Sequence, residues 1–375
     1  MSRVDYLHGL VIGKFYPPHL GHEYLIRTAA THCRNVTVAV LGSRVESISM
    51  QARTHWLRDS FAGMPNVRIA CSLDDWPVDY ESSEVWAGHV AAMHEAIAAA
   101  DREFGALPAV DVVFSSEPYG EELARRFSAV HVCLDRSRAL YPVSGTLVRA
   151  DPVAYWEFLS PAVQAGLALR VVVGGAESTG TTTLSRDLVK ALRGRGGIWE
   201  RTGWVAEFGR EYSANLFALL RARNPAARAE DIAWLSADFT AVAKRQCELE
   251  EAAARHGSPV LVCDTDALAT CIWHERYMGR PSDAVREIAA AMPPRALYLL
   301  TSEEGVPFED DGLRDGEHLR SWMSERFRQL LSAQSIPWIE VRGLPAERCA
   351  AALSAVDAML AGAWRYAPPL EQQNG

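Results

Sequence analysis

Two glycine-bearing strings each stand directly behind an apolar run of strand length: GKFYPPHLGH at 13–22 follows LHGLVI, and GGAESTGTTTL at 174–184 follows LRVVV. A strand that turns through glycine into a helix offers backbone N–H groups and the positive end of a helix dipole to an anion. Each string therefore calls for a strand–turn–helix unit with a phosphate-type loop. Around both, apolar β-rich runs alternate with longer helical patterns, which implies α/β architecture with parallel sheets.

Strands are expected near 7–13, 35–42, 67–71, 110–115 and 129–133, then near 168–174, 259–264, 295–301 and 336–341. Helices are expected near 20–32, 50–62, 84–104 and 119–127, then 181–194, 229–256, 266–278, 282–292, 317–333 and 345–361. This pattern divides the chain into a domain over 1–165 and a second over 166–365, with 366–375 expected as a disordered tail.

Composition narrows the functional classes. An apolar fraction of 49% over 375 residues supplies a core for each domain. A net charge of −9 argues against a nucleic-acid scaffold, because such a surface is normally basic. Seven cysteines, odd in number and never spaced CxxC, suggest neither a disulfide framework nor a zinc site. No run approaches the roughly 20 apolar residues of a membrane span, and no secretory leader pattern opens the chain, so a cytoplasmic location is expected. Homo-oligomers are compatible with these features. Of 38 basic residues only Lys14, Lys190 and Lys244 are lysines.

Gly13 ends a strand, Lys14 and Phe15 enter a proline-stiffened turn, and His19-Leu20-Gly21-His22 opens a helix. Gly21 permits close approach of a ligand, and the imidazoles of His19 and His22 can donate hydrogen bonds to charge developing on a phosphate. A second helix start, YPVSGTLVR at 141–149, has Ser144 as N-cap and places Thr146 and Arg149 three apart on its first turn.

In the second string Gly175 and Gly180 have the spacing of a phosphate-cradling loop, with Ser178 and Thr179 between them. Thr182 occupies the Mg²⁺-ligand position and Thr183 follows. Thr181 stands where a lysine is expected, and Lys190, about 13 Å further along a helix, cannot substitute locally. Downstream, AEFGREY brings Glu207 and Arg210 together, LVCDTD ends a strand with Asp264 and Asp266, and DDGLRD exposes Arg314 in a loop. Strand-end aspartates are metal or hydroxyl ligands or helix caps, and a loop arginine can reach a transferring phosphoryl group.

GKFYPPHLGH, VFSSEP (113–118), YPVSGTLVR and ADPVAYWEFLSP (150–161) together resemble the HxGH nucleotidyltransferase domain of bifunctional NadR-type proteins. GRE, CDTD and DDGLR, in that order behind the second string, resemble the ribosylnicotinamide kinase domain of the same proteins. The resemblance implies an HxGH Rossmann-like domain followed by a P-loop kinase-like domain, acting in NAD biosynthesis. It implies adenylyl transfer from ATP to nicotinamide mononucleotide (NMN), giving NAD and pyrophosphate, and phosphorylation of nicotinamide riboside to NMN, with Mg²⁺ in both. His19, His22 and Arg149 would be catalytic, with Gly13, Lys14, Phe15, Gly21, Ser144 and Thr146 around ATP. Trp76 and Trp86 are candidates to stack the cationic nicotinamide ring, with a place in the core as the competing role. In the kinase half, Gly175, Ser178–Thr183 and Arg314 would hold ATP, Thr182 and Asp264 the metal, and Trp204, Glu207, Arg210 and Asp266 the riboside.

The chain departs from the pattern at Thr181 and at Ala206, where the family has an aromatic; Trp204 could replace the latter. Arg210, Arg314 or Lys244 could replace the missing charge. The alternatives are an adenylyltransferase whose second domain only binds nucleotide or riboside, and an NAD-sensing transcriptional regulator. No helix-turn-helix pattern precedes the first strand, so the regulator is not expected.

Overall fold

The computed structural model describes residues 5–79 and 81–370. The chain forms two compact units. The first runs to Gly166 and takes the chain back from Trp364 onward; the second is Leu167–Ala363.

The first unit is a five-stranded parallel sheet made of β1 (Tyr6–Gly13), β2 (Cys33–Gly42), β3 (Val67–Leu73), β4 (Val112–Ser115) and β5 (Val130–Cys133). Its order is β3-β2-β1-β4-β5. Leu10 and Val11, neighbours on opposite faces of β1, are both 0% exposed, as a central strand covered by helices requires. Val11, Val36, Val38 and Val40 pack under the helices Leu20–His32 and Met50–Ser60. Leu10, Ala39, Leu41 and Val113 pack under Ser83–Phe104 and Gly120–Phe127. The sheet grows from β1 towards β3 and then, on the other side, towards β5. The crevice where its direction reverses lies beyond the carboxyl ends of β1 and β4, the ligand position of open α/β sheets.

The second unit repeats the plan with β6 (Leu169–Gly175), β7 (Gly203–Val205), β8 (Val260–Asp264), β9 (Leu297–Thr301) and β10 (Trp338–Val341). The strands are all parallel, in the order β10-β9-β6-β8-β7. Three elements differ from expectation. β7, three residues long, and the helix Phe208–Arg223, none of whose residues is fully buried, give little hydrophobic pattern. The helix expected over 229–256 is a short 3₁₀ turn, Ala229–Asp231, followed by the helix Ser236–Ala254. The break is fixed by Asp238, whose carboxylate accepts the Leu235 N–H at 2.7 Å.

The tail expected from 366 is also different. Ala367 N–H donates to Ser47 Oγ at 2.7 Å, and its carbonyl accepts from Tyr16 Oη at 3.0 Å, so paired backbone holds this stretch. The expected tail beyond 370 lies outside the described residues. No helix among those described is long and apolar enough to cross a membrane.

Candidate functional site

Beyond β1 the chain turns through Phe15, whose φ of 48° lies in the left-handed region. Its ring folds back over the strand end, where a Cβ on Gly13 would meet it at 3.2 Å. His19 then caps the helix Leu20–His32 with an extended backbone. Its own N–H donates to His22 Nδ1 at 3.3 Å, which places the proton of neutral His22 on Nε2. The two rings stack with centroids 3.6 Å apart. Burial, reinforced by the Arg138 charge, pushes the His22 pKa down to about 3; burial, His22 and Arg138 hold His19 well below 6.5. Two neutral imidazoles therefore stand at a helix N-terminus, and the buried His19 Nδ1 has no hydrogen-bond partner.

The second helix start meets the first. Ser144 Oγ accepts the Leu147 N–H at 3.2 Å, capping Gly145–Ala150. Arg149 Nη2 donates to Thr146 Oγ1 at 3.2 Å and Nη1 to the Tyr16 carbonyl at 2.6 Å. A Cβ on Gly145 would stand 2.8 Å from that carbonyl, so only glycine permits the approach. Lys14 Nζ is 4.0 Å from Glu46 Oε1, and Glu46 also pairs at 2.8 Å with the fully buried Arg53. Arg53 in turn donates to the Lys14 carbonyl at 2.6 Å. Glu46, Arg53 and Arg138 escaped the sequence reading because single charges in irregular surroundings carry no period. The resulting cavity, about 400 Å³, is lined by Gly13, Lys14, Phe15, His19, Gly21, His22, Ser144, Thr146 and Arg149 together.

A second cavity of about 130 Å³ shares Ile12, Gly13 and Lys14 with the first. Both expected tryptophans line it, unequally. Trp76 is 41% exposed and its indole lies on Gly88, where a Cβ would fall 2.1 Å from the ring. Trp86 is 6% exposed, belongs to the core and carries the Arg126 guanidinium over its ring at 5.1 Å. His89 bonds Asp74 at 2.7 Å; burial lowers its pKa, but the bond and charge of Asp74 raise it further, above the ordinary value.

In the second unit the loop after β6 closes on itself. Thr179 Oγ1 donates to the Ala176 carbonyl at 2.7 Å and lies 2.6 Å from Thr301 Oγ1, leaving no room for a Cβ on Gly175. Gly180, with φ of 85°, turns the chain into the helix Thr181–Arg193. Thr182 Oγ1 donates to Asp264 Oδ2 at 2.6 Å, and Asp264 Oδ1 is buried without a hydrogen-bond partner. Burial raises the Asp264 pKa against the pull of the Thr182 and Thr181 hydroxyls. This hydroxyl–carboxylate pair suits a hard cation that takes few protein oxygens and completes its shell with phosphate and water.

A cavity of about 130 Å³ opens from this loop, lined by Gly175, Ser178, Thr181, Thr182, Glu207, Arg210 and Arg314. Burial, with Asp264 adding to it, lifts Glu207 to about 7. Arg210 pairs with Asp311, which also lies 3.6 Å from Arg314 Nε. Arg314 Nη1 reaches Ser178 Oγ at 3.4 Å.

Several expected residues are not brought here. Asp266 is 1% exposed and its carboxylate caps Ala269, bonding Arg295 and Tyr298 as well, so it is a buried structural acid. Trp204 donates to Ser185 Oγ at 2.9 Å and packs on the core. Thr183, Lys190 and Lys244 are exposed and line no part of the cavity. In place of Trp204, the cavity has an aromatic wall of Trp234, Phe239, Trp273 and Tyr277. Trp234 lies 5.1 Å from Tyr277 and 5.2 Å from Phe239 between ring centroids. No motif in the sequence singles out these four, and only the tertiary fold turns them to one cavity.

Comparison with known proteins agrees with this picture. An AAA domain family matches residues 170–348. The trifunctional NAD biosynthesis/regulator protein NadR of Escherichia coli (strain K12) is 25% identical over 82% of this chain and 71% of its own length. The protein of the same name from Salmonella typhimurium (strain LT2) is 24% identical over the same shares. A crystal structure of NadR in complex with NR covers 94% of this chain and 96% of its own at 19% identity, with a TM-score of 0.65. Another, with NAD and AMP-PNP, covers 95% and 96% at 18% identity and a TM-score of 0.63. The chain is thus similar to NadR-type proteins across both units, and shares their fold.

Proposed function

We propose that the chain makes NAD from nicotinamide riboside in two steps, one on each unit. The observation that carries the reading is the meeting of the two motifs of the first unit, through Arg149 and Tyr16, over one cavity at the sheet's switch point. The NadR relatives, named for NAD biosynthesis, and the solved NadR structures named with NR, NAD and an ATP analogue support it.

In the second unit the riboside hydroxyl oxygen attacks the γ-phosphorus of ATP, the bond to the β–γ bridging oxygen breaks, and ADP leaves. Glu207, with its pKa near 7, is suited to accept the hydroxyl proton at neutral pH. The aromatic wall offers π faces to the cationic pyridinium ring. Mg²⁺, held by Thr182 and Asp264, would neutralise phosphate charge. Arg210 and Arg314, oriented by Asp311, supply the positive charge that Thr181 lacks.

In the first unit an NMN phosphate oxygen attacks the α-phosphorus of ATP, and pyrophosphate leaves with the bridging oxygen. No side chain becomes bonded to substrate. The Nε2–H of His22, the His19 ring, Lys14 and Arg149 hold the phosphates and stabilise the charge that develops. Trp76, half exposed on its glycine seat, is the better placed of the two tryptophans to stack nicotinamide. A second reading, in which the second unit binds ligand without transferring phosphate, is favoured by Thr181 alone.

Two variants test the assignment. His22→Ala is expected to abolish NAD formation from NMN while sparing riboside-dependent ADP release, and Asp264→Ala to do the reverse. Loss of both activities in each variant would contradict a division of labour between the units.

A further inference from the structure

The stretch after the last helix makes contacts that neither motif accounts for. Trp364 adopts a φ of 49°, a conformation rare for a bulky side chain and kept only where surroundings impose it. Its ring lies 6.3 Å from that of Trp156, which is fully buried. Two residues on, the Tyr366 ring stands edge-on to Tyr16, with centroids 6.1 Å apart.

Ala367 then closes a ring of hydrogen bonds. Ser47 N–H donates to Tyr16 Oη at 2.9 Å, Tyr16 Oη donates to the Ala367 carbonyl at 3.0 Å, and Ala367 N–H returns to Ser47 Oγ at 2.7 Å. Pro369 is buried and lines the cavity that holds His19, His22 and Arg149.

Tyr16 is the residue through which these contacts bear on the site. Its carbonyl takes Arg149 Nη1 at 2.6 Å, and its ring carries the guanidiniums of Arg149 at 4.8 Å and Arg53 at 5.4 Å. Arg53 in turn holds the Lys14 carbonyl. Two cations on the cavity, Arg149 and Lys14, therefore depend for their placement on a tyrosine whose hydroxyl is fixed by the strap.

We propose that residues 364–369 form a positioning strap for the nucleotide cavity of the first unit, acting through Tyr16 on Arg149 and Lys14. The strap sets how well the ATP phosphates are held and takes no part in bond making. The proposal rests on the reading of this cavity as the ATP site for adenylyl transfer.

The full chain is compared with Tyr16→Phe, which removes only the hydroxyl, and with a chain stopped before Trp364. NAD formation from NMN is followed at varied ATP, with thermal unfolding as the control for folding. The expected result is an ATP KM raised about tenfold in the shortened chain and about fivefold in Tyr16→Phe, the size of one or two lost hydrogen bonds, with a smaller change in kcat. An ATP KM equal to that of the full chain in a folded Tyr16→Phe protein overturns the strap, even if the shortened chain fails to fold. Failure of the unaltered chain to form NAD from NMN would instead sink the reading of the cavity beneath it.

Discussion

In the proposed phosphoryl transfer, a hydroxyl at Thr181 stands where an ammonium would face the β- and γ-phosphates, so the charge must arrive from the side. Arg314, bonded to Ser178 and paired with Asp311, is the residue placed to bring it. Arg314→Ala should lower riboside phosphorylation about a hundredfold or more, as removal of a transition-state arginine does. Adding Thr181→Lys to that variant should recover part of the loss, and an unaffected Arg314→Ala enzyme would reassign the role. Glu207 gives a second test. If it takes the hydroxyl proton, kcat/KM for riboside rises with pH through about 7, and Glu207→Gln removes that limb. The histidines bear on stability. His22 is held near 3 in the folded chain against 6.5 when free, so between those values the unfolded chain binds more protons. Its contribution is therefore complete above about 6.5 and falls as pH drops towards 3. Thermal melts from pH 7 to 5 should show a shallower decline for His22→Gln than for the unaltered chain.

The elements explain how the loops hold their shape. Arg348, on the helix Pro345–Gly362, donates to the carbonyls of Thr179, Ser302 and Gly343 at 2.7, 3.0 and 2.9 Å and is 5% exposed. Arg348→Ala strands three carbonyls and should cost about 3 kcal/mol, seen as a lower unfolding midpoint; a change within about 0.5 kcal/mol would mean that water replaces the guanidinium freely. Ser178 Oγ accepts the Glu309 N–H and Glu177 accepts that of Gly316, tying the loop that bears Arg314 to the phosphate loop. Central strands and long helices were legible in the sequence because burial on both faces, or on one stripe, imposes a period. β7 and the helix Phe208–Arg223 were not, since three residues make no period and a helix without a buried stripe shows little pattern. The first unit's cavity was readable from two local strings. The aromatic wall of the second was not, because Trp234, Phe239, Trp273 and Tyr277 converge only in three dimensions. Asp266 misled for the opposite reason: a strand-end aspartate serves equally as cap or ligand, and its partners Arg295 and Tyr298 lie far along the chain.

On the scale of the whole molecule, the proposed function makes the product of one unit the substrate of the other. Each unit carries a parallel sheet, a glycine turn and a helix N-terminus of the kind that attracts anions, and the two differ in what surrounds that common part. Neutral histidines and Arg149 suit displacement of pyrophosphate at the α-phosphorus; Thr182, Asp264 and Glu207 suit transfer of the γ-phosphoryl group. The measurement that bears most directly on this account supplies the purified chain with nicotinamide riboside, ATP and Mg²⁺ and follows ADP, NMN, pyrophosphate and NAD. Riboside is expected to be consumed with release of ADP, and NAD and pyrophosphate to accumulate in equal amounts. Formation of NAD from added NMN, with neither ADP nor NMN appearing from riboside, would contradict it.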